Sequence, residues 1–127
     1  MNECILIVDD NADSVAIMRT ILGRNGYQVA AAMSGSEALD HLEKEKPDLI
    51  LLDVMMPKMS GLEVLQHIKG NPATGNLPVI LVTAKTRDDD VLSGYQYGAD
   101  YYITKPFTAK QLLYGINLVL GRGGTVA

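Results

Sequence analysis

An α/β fold built on a parallel sheet is predicted by three features of this 127-residue chain. Apolar runs of strand length alternate, five times over, with segments whose apolar residues recur at helical spacing. The runs are continuously apolar, as in strands covered on both faces, rather than alternating as in a half-solvated sheet. Acids close two of them: Asp9 and Asp10 follow Cys4–Val8, and Asp53 follows Leu49–Leu52. Strict β-α alternation implies right-handed crossovers and helices on both faces.

The first strand, Cys4–Val8, leads through Asp9-Asp10-Asn11 into a helix carrying Val15, Ile17, Met18, Ile21 and Leu22. Asp10 or Asn11 is the natural cap, since βα loops favour both residue types there. Gly26 fits the exit, and Gln28–Ala32 reads as the second strand. Ser34 with Glu37 forms a capping box for a helix marked by Leu39 and Leu42. The third strand, Leu49–Leu52, precedes a second box, Ser60 with Glu63, and a helix with Val64, Leu65 and Ile68. Gly70 fits its exit, and 70–78 reads as a loop rich in Gly, Asn and Pro. Val79–Val82 is the fourth strand; Thr86 with Asp89 is a weaker box for the next helix, which exits at Gly98. Tyr101–Ile103 is the fifth strand, and Thr108 with Gln111 opens a last helix bearing Leu112, Leu113, Ile116, Val119 and Leu120. One domain is expected over 1–121. Residues 122–127 are expected to be a flexible tail, whether a frayed terminus, a shortened linker or an expression scar.

Composition narrows the classes. The hydrophobic fraction of 47% is that of an ordinary globule with a real core. A net charge of −4 with no basic block marks no nucleic-acid surface. No apolar run approaches the ~18 residues of a membrane span, and no basic stretch leads into a signal core. The single Cys4 lies within a strand, where a lone cysteine is a small buried hydrophobe. It allows no internal disulfide, which is consistent with a reducing, cytoplasmic setting.

The chemistry lies at the strand ends. An acid closing a buried strand sits just outside the carboxyl edge of the sheet, where ligands of open α/β folds bind. If the first and third strands are neighbours, Asp9, Asp10 and Asp53 share one crevice. At ~5 Å and an effective dielectric of ~20, each like-charge pair costs roughly 3 kcal/mol, so the cluster needs a cation, a proton or wide spacing. Capping could explain Asp10, but not Asp9 beside it; Asp53 is followed by Val54-Met55-Met56-Pro57 and caps no helix itself. The fourth strand ends at Thr83-Ala84, and the fifth enters Thr104-Lys105-Pro106-Phe107. Alone, such a threonine is ordinary local hydrogen bonding and such a lysine is solvated. Together, four of the five strands deliver a carboxylate, a hydroxyl or an ammonium to one edge.

In order, Ile7-Val8-Asp9-Asp10-Asn11, Leu51-Leu52-Asp53 with Met55-Met56-Pro57, Ser60-Gly61, Thr83-Ala84 and Lys105-Pro106-Phe107 resemble the receiver domain of two-component response regulators, over essentially the whole chain. The resemblance implies a flavodoxin-like, doubly wound five-stranded sheet of order 2-1-3-4-5 with five helices, which sets strands one and three side by side. It implies that Asp53 is the phosphoacceptor, forming an acyl phosphate with a phosphoryl group from a histidine kinase, a histidine phosphotransfer protein or a small acyl-phosphate donor. Asp10, Asp53 and the backbone carbonyl of Met55 would hold Mg2+, with Asp9 acting mostly through water and Mn2+ able to substitute. Lys105 would pair with a phosphoryl oxygen, Thr83 would supply a hydroxyl, and Ala84 its backbone N–H. Met55 and Lys85 would flank the attacking water and set the phosphoryl lifetime. The Lys105–Pro106 bond would be cis.

Thr83 and Tyr102 would form the switch, with Tyr101 on the opposite face, and the output would be the surface of the fourth helix, fifth strand and fifth helix, carrying Tyr95, Asp100, Tyr102 and Lys110. Catalysis would be limited to the chain's own phosphorylation and dephosphorylation, so this is not an enzyme in the usual sense. Its downstream target is expected to be a protein, with no direct binding of nucleic acid or membrane. A monomer is expected, with at most a weak dimer on phosphorylation, because Lys110 is the only basic residue of the last helix before Arg122. Two other classes fit less well. A haloacid-dehalogenase-type phosphatase needs a second Asp where Met55 stands. A flavodoxin-like nucleotide or flavin binder needs a phosphate loop where Asp9-Asp10-Asn11-Ala12-Asp13 would repel one.

Overall fold

The computed structural model describes residues 3–84 and 88–121, with the backbone alone at 88–90. Strands and helices alternate as β1 (Cys4–Val8), α1 (Ala12–Arg24), β2 (Gln28–Ala32), α2 (Gly35–Lys44), β3 (Leu49–Leu52), α3 (Gly61–Gly70), β4 (Val79–Thr83), α4 (Asp88–Gln96), β5 (Tyr101–Thr104) and α5 (Ala109–Val119). All strand pairs are parallel, in the order β2-β1-β3-β4-β5. This is the expected flavodoxin-like topology.

The central strands β1, β3 and β4 are buried on both faces, whereas the edge strands β2 and β5 are only partly covered, and the buried side chains divide by parity. Leu6, Val8, Ile50, Leu52, Val79 and Leu81 meet Ala38 and Leu42 of α2 and Val64, Leu65 and Ile68 of α3. Ile5, Ile7, Leu49, Leu51, Ile80 and Val82 meet Val15, Met18 and Leu22 of α1 and Leu112 and Ile116 of α5. Each fully buried Leu or Ile contributes roughly 1.5–3 kcal/mol, so the central strands form a stiff platform. Register on that platform sets the site: Val8 lies opposite Leu52, which brings the next residues, Asp9 and Asp53, side by side.

Local signals behave as their chemistry dictates, with four adjustments. Asn11 rather than Asp10 caps α1, its side chain accepting from Ser14 N–H. Ser60 with Glu63 and Thr108 with Gln111 close full capping boxes. Ser34 caps α2, but the Glu37 carboxylate reaches one residue further back and accepts from Met33 N–H. Gly26 and Gly98 adopt φ of 87° and 103°, a left-handed turn that glycine makes without strain, whereas Gly70 is the last residue of α3 and Asn71 is its C-cap. β4 and β5 each run one residue past the expected end, so Thr83 and Thr104 complete strands. Lys85, Thr86 and residues 122–127 lie outside the described residues, as does the side chain of Asp89. Among the described residues, no helix is long and apolar enough to cross a membrane.

Candidate functional site

At the carboxyl edge of β1 and β3, two acids are almost fully buried: Asp9 is 1% exposed and Asp53 6%. Each is held by its own turn. Asp9 Oδ1 accepts from Asn11 N–H at 2.9 Å, and Asp53 Oδ1 accepts from Met55 N–H at 2.9 Å. The second oxygen of each faces Lys105, whose Nζ donates to Asp9 Oδ2 and to Asp53 Oδ2, both at 2.8 Å. A third contact runs from Lys105 Nζ to Ser14 Oγ at 3.2 Å. Lys105 arrives from the end of β5, and the peptide joining it to Pro106 is cis.

Charge follows this geometry. Burial pushes the Asp9 carboxyl above its usual range; the Lys105 hydrogen bond opposes that shift, and the neighbouring Asp53 charge adds to it. Burial lowers the affinity of the Lys105 ammonium for its proton, but hydrogen bonds to Asp53 and Asp9 outweigh burial and hold its pKa above the ordinary value. The clustered acids thus find their first counter-charge inside the chain.

Asp10 is exposed, and the described residues bring no group of three acids together as a metal cage. The expected shared crevice is therefore a pair of buried carboxylates around one ammonium, with a third carboxylate at its rim. The tight start of α3 closes one wall. A Cβ on Gly61 would collide with the Asp53 carbonyl, so only glycine lets that helix approach the site.

Thr83 is fully buried at the end of β4, while Ala84 after it is exposed. Met55 is 53% exposed beside Asp53. Tyr102 pairs in register with Leu81 and packs toward the α2–α3 side; Tyr101 packs on the α1–α5 side. The Tyr102 ring lies 6.5 Å from that of Tyr95, tilted by 43°. Tyr95, Tyr102 and Lys110 lie along the expected output surface, where Tyr101, Tyr102, Lys110, Gln111 and Tyr114 line a groove of about 530 Å³. Asp100 has a local task instead: its carboxylate accepts from Val79 N–H at 2.8 Å and pairs with Lys69 at 3.4 Å. Ser14 is the contact that sequence reasoning missed. Its signal was available in its place three residues after the capping asparagine, which sets it on the first turn facing the strand ends.

Comparison with known proteins agrees with this fold. Residues 5–117 match the response regulator receiver domain family, and the chain belongs to it. The alkaline phosphatase synthesis transcriptional regulatory protein PhoP of Bacillus subtilis is 40% identical over 127 residues, all of this chain and 52% of that protein. The chain therefore spans about half the length of such curated relatives. A CheY-like response regulator receiver domain protein of Methanospirillum hungatei superposes with a TM-score of 0.89 at 30% identity, covering 100% of both chains. The receiver domain of a signal transduction histidine kinase from Syntrophus aciditrophicus superposes at 0.87 with 36% identity, over 94% of this chain and 90% of that one.

Proposed function

We propose that this receiver is switched by phosphorylation of Asp53. The observation that carries the reading is the Lys105 ammonium held between two buried carboxylates from adjacent strands, one of which can accept a phosphoryl group. An Asp53 oxygen forms the new O–P bond; the P–N bond of a phosphohistidine donor breaks, and the imidazole leaves with the electron pair. Lys105, a mobile point charge, stays paired with Asp9 and takes up a phosphoryl oxygen. Ala84, next after β4, would donate its backbone N–H to the phosphoryl group.

The donor set is all hard oxygen: the Asp53 and Asp10 carboxylates, the Met55 carbonyl, and Asp9 through water. Such a set fits Mg2+, with Mn2+ as a substitute. When bound, the ion neutralises charge on the transferring phosphoryl group. Met55, exposed beside Asp53, and Lys85, outside the described residues, would set how fast water removes that group.

Phosphorylation adds roughly −2 charge beside Thr83. In the proposed switch, Thr83 moves toward the new oxygens and Tyr102, on the same side of the sheet, turns inward. The α4-β5-α5 surface then presents its tyrosine-lined groove to a protein partner. A heterologous partner is favoured over a stable homodimer, because Lys110 is the only basic residue within α5. The donor is a histidine kinase or a histidine phosphotransfer protein, the partners of this family.

Treating the chain with acetyl phosphate and Mg2+ and locating the label by mass spectrometry tests the reading. One phosphoryl group on Asp53, lost in Asp53→Asn and in excess chelator, is expected. Equal labelling of Asp53→Asn would refute the assignment.

A further inference from the structure

A lysine ammonium carries three N–H donors. Here it meets three acceptors: Asp9 Oδ2, Asp53 Oδ2 and the neutral hydroxyl of Ser14. Ser14 is not loosely placed. Its N–H donates to Asn11 Oδ1 at 3.0 Å, and Asn11 N–H donates to Asp9 Oδ1 at 2.9 Å. Lys105 then returns to Asp9 on the other oxygen at 2.8 Å. Asp9, Asn11, Ser14 and Lys105 thus close a circuit, and among the described residues Asp53 is the one acceptor of the ammonium outside it.

We propose that Ser14 is a positioning residue for phosphoryl acceptance: with Asp9 it fixes two donors of Lys105, so that the third is aimed at Asp53 and at the phosphoryl oxygen arriving there. The inference rests on the reading of Asp53 as phosphoacceptor. In transfer from acetyl phosphate, an Asp53 oxygen forms the O–P bond, the P–O bond to the acetyl group breaks, and acetate leaves with the electron pair. No proton moves. The donor that held Asp53 Oδ2 passes to a phosphoryl oxygen while Asp9 and Ser14 keep the other two.

Two anchors define the direction of the third donor of a tetrahedral head; one anchor does not. The lysine stem is a flexible four-carbon chain and supplies no aim of its own. The positive end of the α1 dipole would also repel an ammonium, and the Ser14 oxygen offers it a local acceptor at that helix start. Without the hydroxyl, Lys105 keeps its charge but pivots about Asp9.

The test compares Ser14→Ala, Ser14→Val and Ser14→Thr in the full chain. Labelling of Asp53 by acetyl phosphate should slow about three- to tenfold in Ala and Val and recover in Thr, the scale of one lost hydrogen bond to a charged group in a partly exposed site. A second readout needs no donor. In protein labelled with ¹⁵N-lysine, the Lys105 ammonium resonance should be visible in the unmodified chain and in Thr, and broadened in Ala and Val. Val and Thr differ only in the hydroxyl, so that pair decides the matter even if Ala folds poorly. Unmodified kinetics with an unchanged ammonium signal in Ser14→Val would overturn the role of Ser14 and leave the phosphoacceptor in place. A chain that takes no label on Asp53 would overturn the phosphoacceptor reading and this inference with it.

Discussion

Two lysines sit at opposite ends of the same sheet, and their surroundings set them apart. Lys69, at the end of α3, donates to the backbone carbonyls of Leu77 at 2.6 Å and Gly75 at 3.4 Å, and meets one half-exposed carboxylate, Asp100, at 3.4 Å. Among the described residues, Lys105 meets two buried carboxylates at 2.8 Å and the Ser14 hydroxyl at 3.2 Å. Backbone carbonyls cannot be chemically altered, so Lys69 is a clamp holding the 71–78 loop against the start of β4. A carboxylate can form an acyl phosphate, so under the proposed function Lys105 holds exchangeable partners. The two lysines differ in what accepts the hydrogen bonds of their ammonium groups.

Replacing each lysine with methionine should separate the two ends. Lys105→Met should slow Asp53 labelling by acetyl phosphate about a hundredfold or more, the usual loss when a charge-stabilising donor is removed. Lys69→Met should leave labelling unchanged within about twofold, because nothing it touches reaches the site. A labelling defect in Lys69→Met would break the comparison.

The second contrast is the response to a cation. If the proposed site takes magnesium in the folded form alone, a hundredfold excess over its Kd should stabilise the unmodified chain by about 2.7 kcal/mol. Loss of Asp10 should weaken Mg2+ binding more than loss of Asp9, read by calorimetric titration of the two alanine variants. Equal affinities would remove Asp10 from the proposed ligands.

A smaller effect is expected at the clamp. Lys69→Met should cost about 1–2 kcal/mol in urea unfolding, because the Leu77 carbonyl loses its donor. An unaltered urea midpoint would show that solvent replaces the clamp.

The smallest effect is in pH. Lys105 has its folded pKa raised above the ordinary 10.5, so its contribution to stability is complete below that value and is lost as pH climbs through the folded pKa. In chelator, the unmodified chain should therefore lose stability with rising pH in that alkaline window, and Lys105→Met should lack that component. Identical alkaline limbs would count against the bridged geometry.

Most of this architecture was legible because burial leaves a simple trace. Leu49–Leu52 and Val79–Val82 are apolar at every position, which only two-sided burial requires, and the acids that break the pattern mark the edge where ligands bind. Asp9, Asp53 and Lys105 were legible for the same reason: each follows directly from a strand. What escaped depended on side-chain reach. Asp10 and Asn11 are equally good caps by residue type, and only backbone direction selects Asn11. Ser14 sits on a helix and contacts a lysine 91 residues away, a separation over which local pattern carries no information. The different burial of Asp9 and Asp10 was hidden too, because adjacent residues in a chain leaving a strand need not be covered alike.

Tyr101 and Tyr102 are consecutive residues of one edge strand, yet they pack on opposite sides of the sheet. The chain contains six tyrosines and no tryptophan. In protein grown with fluorinated tyrosine, β5 therefore supplies both an indicator and its own control. Tyr102 sits on the side of Thr83 and α4, where the proposed switch would shift its resonance. Tyr101 is wedged beneath Gly115 of α5, where a methyl group already would not fit, and should stay silent. A signal that moves at one ring and not at its neighbour would distinguish a local rearrangement from a general loosening of the fold, in a single spectrum.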